Sequence, residues 1–292
     1  MPGRVILVER VDVRPITDVE TLRAVEDLQQ RVWGMPDRDV IPYHQLLAAG
    51  GAGGVILGAF VPDGTVVGFC YGFVGLREGR PILYSHMAGV AEQWRGTGVG
   101  FLLKRAQREA ALTRGLDRII WTFDALQAPN AHFNLHKLGA EARRYYVNYY
   151  GEMPDVLNRG LASDRLEVDW LLRTPRVTKL MGEAVSGVAP PAPRDASGVD
   201  GAPLALEASG DPLRPRMPAA LPGAPLVRLA VPDDFAGVRH RDEALAQRWR
   251  EATRLVFVEY FGRGYAAVDF LRSAPVGFYV LRASSAREGR AD

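Results

Sequence analysis

The stretch GVAEQWRGTGVGFLLKRAQREA, residues 89–110, constrains the fold of this chain more than any other. A short apolar run ends at Val90, glycines alternate with small residues from Gly96 to Gly100, and an amphipathic pattern follows. Glycines let backbone N–H groups approach an anion closely, and the start of a helix adds unpaired donors and the positive end of a dipole. The stretch therefore predicts a strand, a loop and a helix that together hold a phosphate group.

Two common phosphate loops do not fit this stretch. A Walker loop ends in Gly-Lys followed by Ser or Thr, whereas this chain continues from Gly100 into Phe101 and Leu102. A dinucleotide-binding fingerprint that starts at Gly96 and Gly98 requires a third glycine at position 101, which Phe101 occupies. A glycine-rich turn without a ligand is the structural alternative.

Composition narrows the class of protein. The chain has 292 residues, 47% of them hydrophobic, which suits one large or two smaller soluble domains. A net charge of +2 does not indicate a nucleic-acid partner. The single cysteine, Cys70, lies in an apolar run, which predicts a buried thiol in a reducing compartment. We see neither a signal peptide nor an apolar run of about 20 residues, so we expect a cytoplasmic protein with no membrane partner.

Apolar periodicity predicts an α/β fold for the first part of the chain. The predicted order is strand, two helices, three strands, helix, strand, short helix and two strands, a mixed α/β layer around a central sheet. The segment GGAGG, residues 50–54, precedes a strand instead of following one. We expect it to be a flexible turn beside the entrance to a binding site, with an active-site lid as the alternative.

Composition changes after Lys179. Residues 179–225 are rich in Pro, Ala and Gly and predict a linker or a meandering surface segment. Periodicity returns in residues 226–292, where a helix from about Asp242 and a hairpin predict a small C-terminal subdomain. The expected division is a main domain at 1–178, the linker at 179–225 and the subdomain at 226–292.

The pattern Arg-x-x-Gly-x-Gly after a strand, Arg95 to Gly100, resembles the acyl-CoA signature of the GNAT N-acetyltransferase superfamily. NLHKLGA, residues 134–140, is similar to the end of a later helix of that family. The resemblance implies a mixed, mostly antiparallel central sheet flanked by helices, here in a divergent bacterial member with a C-terminal extension. It also implies an acetyl-CoA or other acyl-CoA co-substrate, and a central strand, YSHMAGV, that separates from one neighbour, with Gly89 helping the backbone to bulge. The cofactor-binding residues that it implies are Ala88, Gly89, Val90, Arg95, Gly96, Thr97, Gly98, Val99, Gly100, Asn130 and Lys137.

Acyl transfer to an amine needs a base, an oxyanion donor and a route for the leaving thiolate. His86 is the candidate base and Tyr84 a candidate proton relay, because strand alternation predicts that both lie on one face with Ala88 and Val90. A packed histidine without a catalytic role is the alternative. On the resemblance, the backbone N–H of Val90 or a neighbour is the oxyanion donor.

The chain departs from the family at the acid. Many members have Tyr two residues before the Lys of the KLG sequence, and here that position is Leu135. Either the thiolate leaves unaided, or a polar residue nearby replaces the tyrosine as the acid. The candidates are Asn130, Asn134, His136, Tyr145, Tyr146, Tyr149 and Tyr150. Asn130 is also a candidate helix cap. His132 and His136 have a metal-compatible spacing, but no acidic residue lies between them, so we predict no metal site.

The remaining expectations concern partners. Lys104, Arg105 and Lys137 are candidates for the CoA phosphates, and Arg143 or Arg144 for an acceptor carboxylate. We expect a small amine such as an amino acid as acceptor, and the C-terminal helix as a cover or a homodimer contact. Two other functions stay open. One is a CoA-binding sensor or interaction module that has lost catalysis, and the other is a protein N-acetyltransferase.

Overall fold

The structure is a computed structural model that describes residues 11–151, 160–183 and 199–284. The described chain forms two compact units, the first ending at Trp121 and the second beginning at Thr122. In the described residues, no helix is both long and apolar enough to cross a bilayer.

The first unit is a sheet with helices on both faces. Its strands are β1 (Asp12–Pro15), β2 (Val55–Phe60), β3 (Val66–Arg77), β4 (Arg80–Val90) and β5 (Arg118–Phe123, whose last two residues belong to the second unit). They lie in the order β1-β2-β3-β4-β5, and neighbours are antiparallel except for the parallel pair β4 and β5. The helices are α1 (Val19–Trp33), α2 (Tyr43–Gly51) and α3 (Val99–Thr113).

Strand β3 shows which helix covers which face. Phe69 and Tyr71 belong to the apolar cluster formed with α1 and α2. On the other face, a Cβ added at Gly68 would lie 3.1 Å from Leu103 of α3, and the thiol of Cys70 lies 3.8 Å from the Leu103 carbonyl oxygen. Cys70 is fully buried, as its apolar run predicts.

The second unit is also α/β. Its strands are β6 (Glu141–Tyr146), β7 (Arg165–Leu171), β8 (Leu204–Ser209), β9 (Arg214–Arg216), β10 (Leu226–Pro232), β11 (Tyr265–Ser273) and β12 (Val276–Ala283). Their order is β7-β6-β11-β12-β10-β8-β9, antiparallel except for β8 and β10. The helices are α4 (Ala128–Ala131, continued by a π-helical turn at His132–Lys137), α5 (Pro175–Glu183), α6 (Phe235–Arg241) and α7 (Glu243–Gly262).

The C-terminal prediction is confirmed in its elements. Asp242 caps α7, its carboxylate accepting from the Leu245 N–H at 2.8 Å, and β11 and β12 form the predicted hairpin. The mixed α/β, mostly antiparallel fold class is confirmed as well.

The predicted linker contains structure that composition hides. Strands β8 and β9 lie inside residues 179–225, and β8 pairs with β10 through Leu204 and Leu206. Residues 184–198 of that segment lie outside the described residues. The compact units divide at Trp121 and not at residue 178. The division into a main domain, a linker and a subdomain stays a prediction.

Residues 50–54 end helix α2 and turn into strand β2, with a turn at Ala52 and Gly53. Gly50 and Gly51 end α2, and Gly54 packs against backbone: an added Cβ would lie 2.7 Å from the carbonyl oxygens of Ala49 and Gly72. The predicted turn is therefore present, with Gly53 at a φ of +90°, and its last residue packs closely against the sheet.

Candidate functional site

Two glycines shape the turn before α3. Gly96 has a φ of +77°, and Gly98, the residue before the helix, has a φ of +104°. Residues that carry a Cβ rarely adopt this left-handed backbone conformation, so the turn favours glycine at both positions. Because Gly98 has no side chain, it offers no cap to the helix start.

The turn leaves backbone donors open. In the part of the chain that the structure describes, four N–H groups have no acceptor: those of Gly96, Gly98, Val99 and Gly100. The N–H groups of Arg95 and Thr97 already donate, to the carbonyls of Glu92 at 3.1 Å and Trp94 at 3.4 Å. The open donors and the positive end of the helix dipole are the arrangement that binds a phosphate.

The side chains of Arg95 and Thr97 brace the loop. Arg95 donates from Nε to the carbonyl of Val90 at 3.3 Å and from Nη2 to that of Val32 at 3.2 Å. The Thr97 hydroxyl donates to the carbonyl of Trp94 at 2.7 Å. These bonds fix the loop to the ends of β4 and α1, so both side chains position the open N–H groups.

Strand β4 contains a bulge at His86. Tyr71 of β3 lies opposite Met87, and the next residue, Gly72, lies opposite Ser85, so His86 has no partner on β3. A bulge of this kind inserts one residue into a strand and re-aims the side chains around it.

The bulge overturns the predicted alternation. Tyr84 lies opposite Phe73 and so shares the face of Tyr71, which packs against α1 and α2. Ala88 lies opposite Cys70, on the face that α3 covers. The prediction that Tyr84 and His86 share one face with Ala88 and Val90 is therefore wrong, because the extra residue reverses the pleat beyond it.

Beyond Tyr84, β4 separates from β5. The register of this parallel pair holds two residue pairs, Leu83 with Ile119 and Tyr84 with Ile120. The pairing then stops, although β4 continues to Val90. The separation implied by the resemblance is confirmed, and it begins at Ser85.

His86 lies among aromatic rings. Its ring centre is 6.0 Å from that of Tyr71, 6.1 Å from that of Phe73 and 6.5 Å from that of Tyr84. His86 is exposed to solvent, yet partial desolvation of its imidazole lowers the pKa of His86 below its ordinary value. The imidazole is therefore neutral at pH 7, the state in which it accepts a proton.

Gly89 has a packing role instead of the predicted bulging role. A Cβ at this position would lie 2.9 Å from the Trp33 ring and 3.2 Å from the Phe69 ring. The bulge itself is three residues earlier. Glycine at 89 lets the end of α1 approach the sheet.

Lys104 is buried and does not face the solvent side of α3 as a phosphate ligand would. It is 3% exposed, and its Nζ donates to the Ser85 hydroxyl at 3.1 Å and to Gln107 Oε1 at 2.8 Å. Sequence reasoning missed this cluster. The available signal was periodicity, since Lys104 and Gln107 fall on the buried stripe of Val99, Leu103 and Ala111.

The remaining predicted cofactor residues lie in the second unit. Asn130 is exposed within α4, whose N-cap is Gln127, so the capping role predicted for Asn130 is wrong. Lys137 is exposed. Leu135 is fully buried, and its carbonyl accepts from Arg176 at 2.7 Å. Binding of the cofactor by Asn130 and Lys137 stays a prediction.

Several candidate polar residues of the second unit are engaged in ion pairs or hydrogen bonds. The Tyr145 hydroxyl donates to Asp164 at 2.9 Å, and burial raises the pKa of Tyr145, which makes it a poor acid. Arg144 pairs with Glu167 at 3.1 Å, and Arg143 pairs with a glutamate of its own strand, Glu141, at 3.1 Å.

His132 and His136 face β11. The Nδ1 atoms of the two rings lie 3.2 Å from the Phe270 carbonyl oxygen and 2.9 Å from the Asp269 carboxylate. Among the described residues, no group of three or more His, Cys, Asp or Glu side chains is arranged to hold a metal ion.

Part of the chain matches the model of a known protein family. Residues 22–140 match the model of the acetyltransferase (GNAT) family. No curated protein matches the chain. Similar solved structures include Naa50 of Arabidopsis thaliana with the bisubstrate analogue CoA-Ac-MVNAL, at 20% identity, covering 55% of this chain and 97% of that one, TM-score 0.43. Others are a GNAT family acetyltransferase of Elizabethkingia anophelis with acetyl-CoA bound (14% identity, 56% and 99% covered, TM-score 0.42) and the ribosomal-protein-S18-alanine N-acetyltransferase of Escherichia coli (16%, 55% and 92%, TM-score 0.44). The strand, glycine turn and helix at residues 80–113 all lie within the matched range, and the chain carries an acetyltransferase domain of the GNAT family.

Proposed function

We propose that this domain transfers an acetyl or other short acyl group, such as succinyl, from acyl-CoA to the amine of a small molecule such as an amino acid. One observation carries the proposal: the open N–H groups at the start of α3 directly follow a strand that has separated from its parallel neighbour. A diphosphate suits those donors, and an extended arm with amide groups suits the edge of β4 that β5 leaves.

His86 supplies the base in this proposal. An ammonium group cannot attack a thioester, so the acceptor must lose a proton, directly or through water, to the neutral imidazole. The aromatic rings around His86 support this role because they keep the imidazole uncharged. Amine and acyl-CoA are both bound when the amine attacks, in a ternary complex.

The developing oxyanion and the leaving thiolate are accommodated in different ways. As the oxygen becomes negative, a backbone N–H of β4 at or near Val90 is the proposed donor. The thiolate leaves without a tyrosine acid, because Leu135 has no hydroxyl. A thiol with a pKa of about 8.5 is a competent leaving group unaided.

Binding of CoA tests the first half of the proposal. Acetyl-CoA and succinyl-CoA at millimolar concentration are expected to raise the thermal unfolding temperature of the protein, because a ligand of the folded state stabilises it. Gly98→Ala should weaken this effect at least tenfold in Kd. Gly64→Ala is the matched control, since Gly64 has a φ of +86° in a turn between β2 and β3, away from α3. Absence of stabilisation by any acyl-CoA would refute the proposal.

Turnover tests the second half. Across a panel of amino acids and small amines, His86→Ala should lower kcat by about 10²–10⁴-fold at unchanged CoA affinity. His240→Ala, an exposed histidine of α6, is the control and should leave kcat unchanged. Binding without turnover on small amines and on peptide N-termini would favour the non-catalytic module. Turnover on peptides alone would favour the protein N-acetyltransferase.

A further inference from the structure

Strand β3 carries an exposed aromatic side chain beside the candidate base. Phe73 is 38% exposed, although phenylalanine is among the residues that folded proteins most often bury. Its ring stacks on that of Tyr84, the residue opposite it on β4, with ring centres 5.3 Å apart and planes inclined by 27°. Apolar side chains that are exposed singly are ordinary, whereas two stacked rings present a continuous apolar surface that suits a ligand.

The bulge of β4 places His86 between two rings of β3. Tyr71 and Phe73 are successive residues on one face of β3, and the imidazole centre lies 6.0 Å from the first ring and 6.1 Å from the second. The side chain of Gln45 on α2 hydrogen-bonds the Tyr71 hydroxyl, and Tyr71 is buried. The cluster of Tyr71, Phe73, Tyr84 and His86 is therefore closed on the Tyr71 side and open on the Phe73 side.

The cluster offers no cation to a ligand. Phe73 has no charge, and burial raises the pKa of Tyr71, which keeps its hydroxyl protonated. The pKa of His86 is lowered by desolvation alone, so within the part of the chain that the structure describes no ionised side chain acts on the imidazole. A carboxylate beside the acceptor amine would lose its water here and gain no counter-charge, which is costly.

We propose that the acceptor is an arylalkylamine, with an aromatic ring one or two carbons from the amine and no carboxylate beside it, and that Phe73 selects this ring. The inference rests on the proposed function, because it takes His86 as the base. It narrows the small amine of that function to one that is not an amino acid. Phe73 is then a residue that determines specificity, and it takes no part in the proton transfer.

The distances in the cluster suit such an acceptor. An amine that gives its proton to His86 lies about 2.6–3.2 Å from an imidazole nitrogen. A ring one or two carbons further on reaches Phe73, whose ring centre is 6.1 Å from that of His86. Aromatic pairs favour centre separations of about 4.5–7 Å in offset or edge-to-face contact. A saturated ring gains the same apolar burial but not this contact, so the site distinguishes the two.

Specificity constants for three amines test the inference. Phenethylamine carries the ring, cyclohexylethylamine replaces it with a saturated ring, and phenylalanine adds a carboxylate beside the amine. The donor is whichever of acetyl-CoA and succinyl-CoA binds more tightly. In the parent protein, kcat/KM for phenethylamine should exceed that for cyclohexylethylamine by about threefold or more. It should exceed that for phenylalanine by about tenfold or more.

Variants of Phe73 separate the ring from its apolar area. Phe73→Leu keeps an apolar side chain and should erase the preference for phenethylamine over cyclohexylethylamine, whereas Phe73→Tyr keeps a ring and should retain it. Val74→Ala is the matched control, because Val74 is the next residue of β3, is 42% exposed and lies on the opposite face of the strand. It should leave the preference unchanged. A Kd for CoA within about twofold of the parent value checks that each variant is folded.

The outcomes separate the two proposals. If CoA does not bind, or no amine is acylated, the proposed function and this inference both fail. If amines are acylated but phenylalanine or cyclohexylethylamine reacts as well as phenethylamine, only this inference fails. It also fails if the ring preference survives in Phe73→Leu, or if Val74→Ala loses the preference to the same extent, since Phe73 would then not select the acceptor.

Discussion

The buried ion pair of Asp124 and Arg250 allows a sharp stability prediction for the second unit. The two Arg250 terminal nitrogens, Nη1 and Nη2, donate to the two carboxylate oxygens, each at 2.7 Å, and the side chains are 2% exposed for Arg250 and 9% for Asp124. Arg250→Met removes both bonds and leaves the carboxylate buried. Each charge-assisted bond contributes about 1.5–3 kcal/mol, so the loss is about 3–6 kcal/mol. This agrees with about 3–5 kcal/mol for breaking a buried pair.

Urea unfolding at pH 7, followed by circular dichroism, measures this loss. Hydrogen exchange of α7 peptides assigns it to the second unit. The matched variant is the double substitution Asp124→Asn with Arg250→Met, which removes the stranded charge and should be more stable than Arg250→Met alone. The pKa of Asp124 is lowered in the folded state by Arg250 against the opposing effect of burial, so the pair stabilises above the unfolded pKa of 3.8. The stabilisation of the parent by the pair should persist down to about pH 4 and shrink as pH falls further. In Arg250→Met, burial without the guanidinium raises the pKa of Asp124, so protonation relieves the variant and its deficit against the parent should begin to shrink at a higher pH. A loss below about 1 kcal/mol, or a double variant no more stable than the single one, would refute the reasoning.

Three further predictions concern the first unit. For Lys104, the folded pKa of about 7 lies below the unfolded value, so the unfolded state binds more protons and stability rises with pH between about 7 and 10. Urea titrations should show this rise in the parent and not in Lys104→Met, and parallel curves would contradict it. Gly54→Ala should lower the free energy of unfolding in urea by at least about 2 kcal/mol, because the added Cβ would meet two carbonyl oxygens. Gly51→Ala, where an added Cβ has nothing within 4 Å, should lower it by less than about 0.5 kcal/mol. Equal losses in the two variants would refute the packing argument. The lowered pKa of His86 predicts that kcat/KM falls as the pH drops through a value below 6.5. His86→Ala should lack this fall in its pH profile. The same fall in both proteins would exclude His86 as the base.

Local patterns along the chain encode several of its elements. The turn before α3 needs the left-handed conformation that glycine adopts at positions 96 and 98, so the strand, turn and helix follow from a few neighbouring residues. The same holds for α7 and the hairpin of β11 and β12, where periodicity extends over many residues. The spacing of Arg95, Gly98 and Gly100 carries the resemblance to the GNAT family, and residues 22–140 match the model of that family.

The face that each site residue occupies depends on contacts between distant parts of the chain. Pattern alternation assumes an unbroken strand, and a single extra residue at His86 reverses it, because the register is set by pairing with β3 and not by β4 alone. The burial of Lys104 depends in the same way on contacts with Ser85 and Trp121, which are distant in sequence. Strand β8 forms within a Pro- and Gly-rich segment because β10 offers it hydrogen-bond partners. Local propensity fixed what each segment can form, and long-range pairing decided what its side chains face.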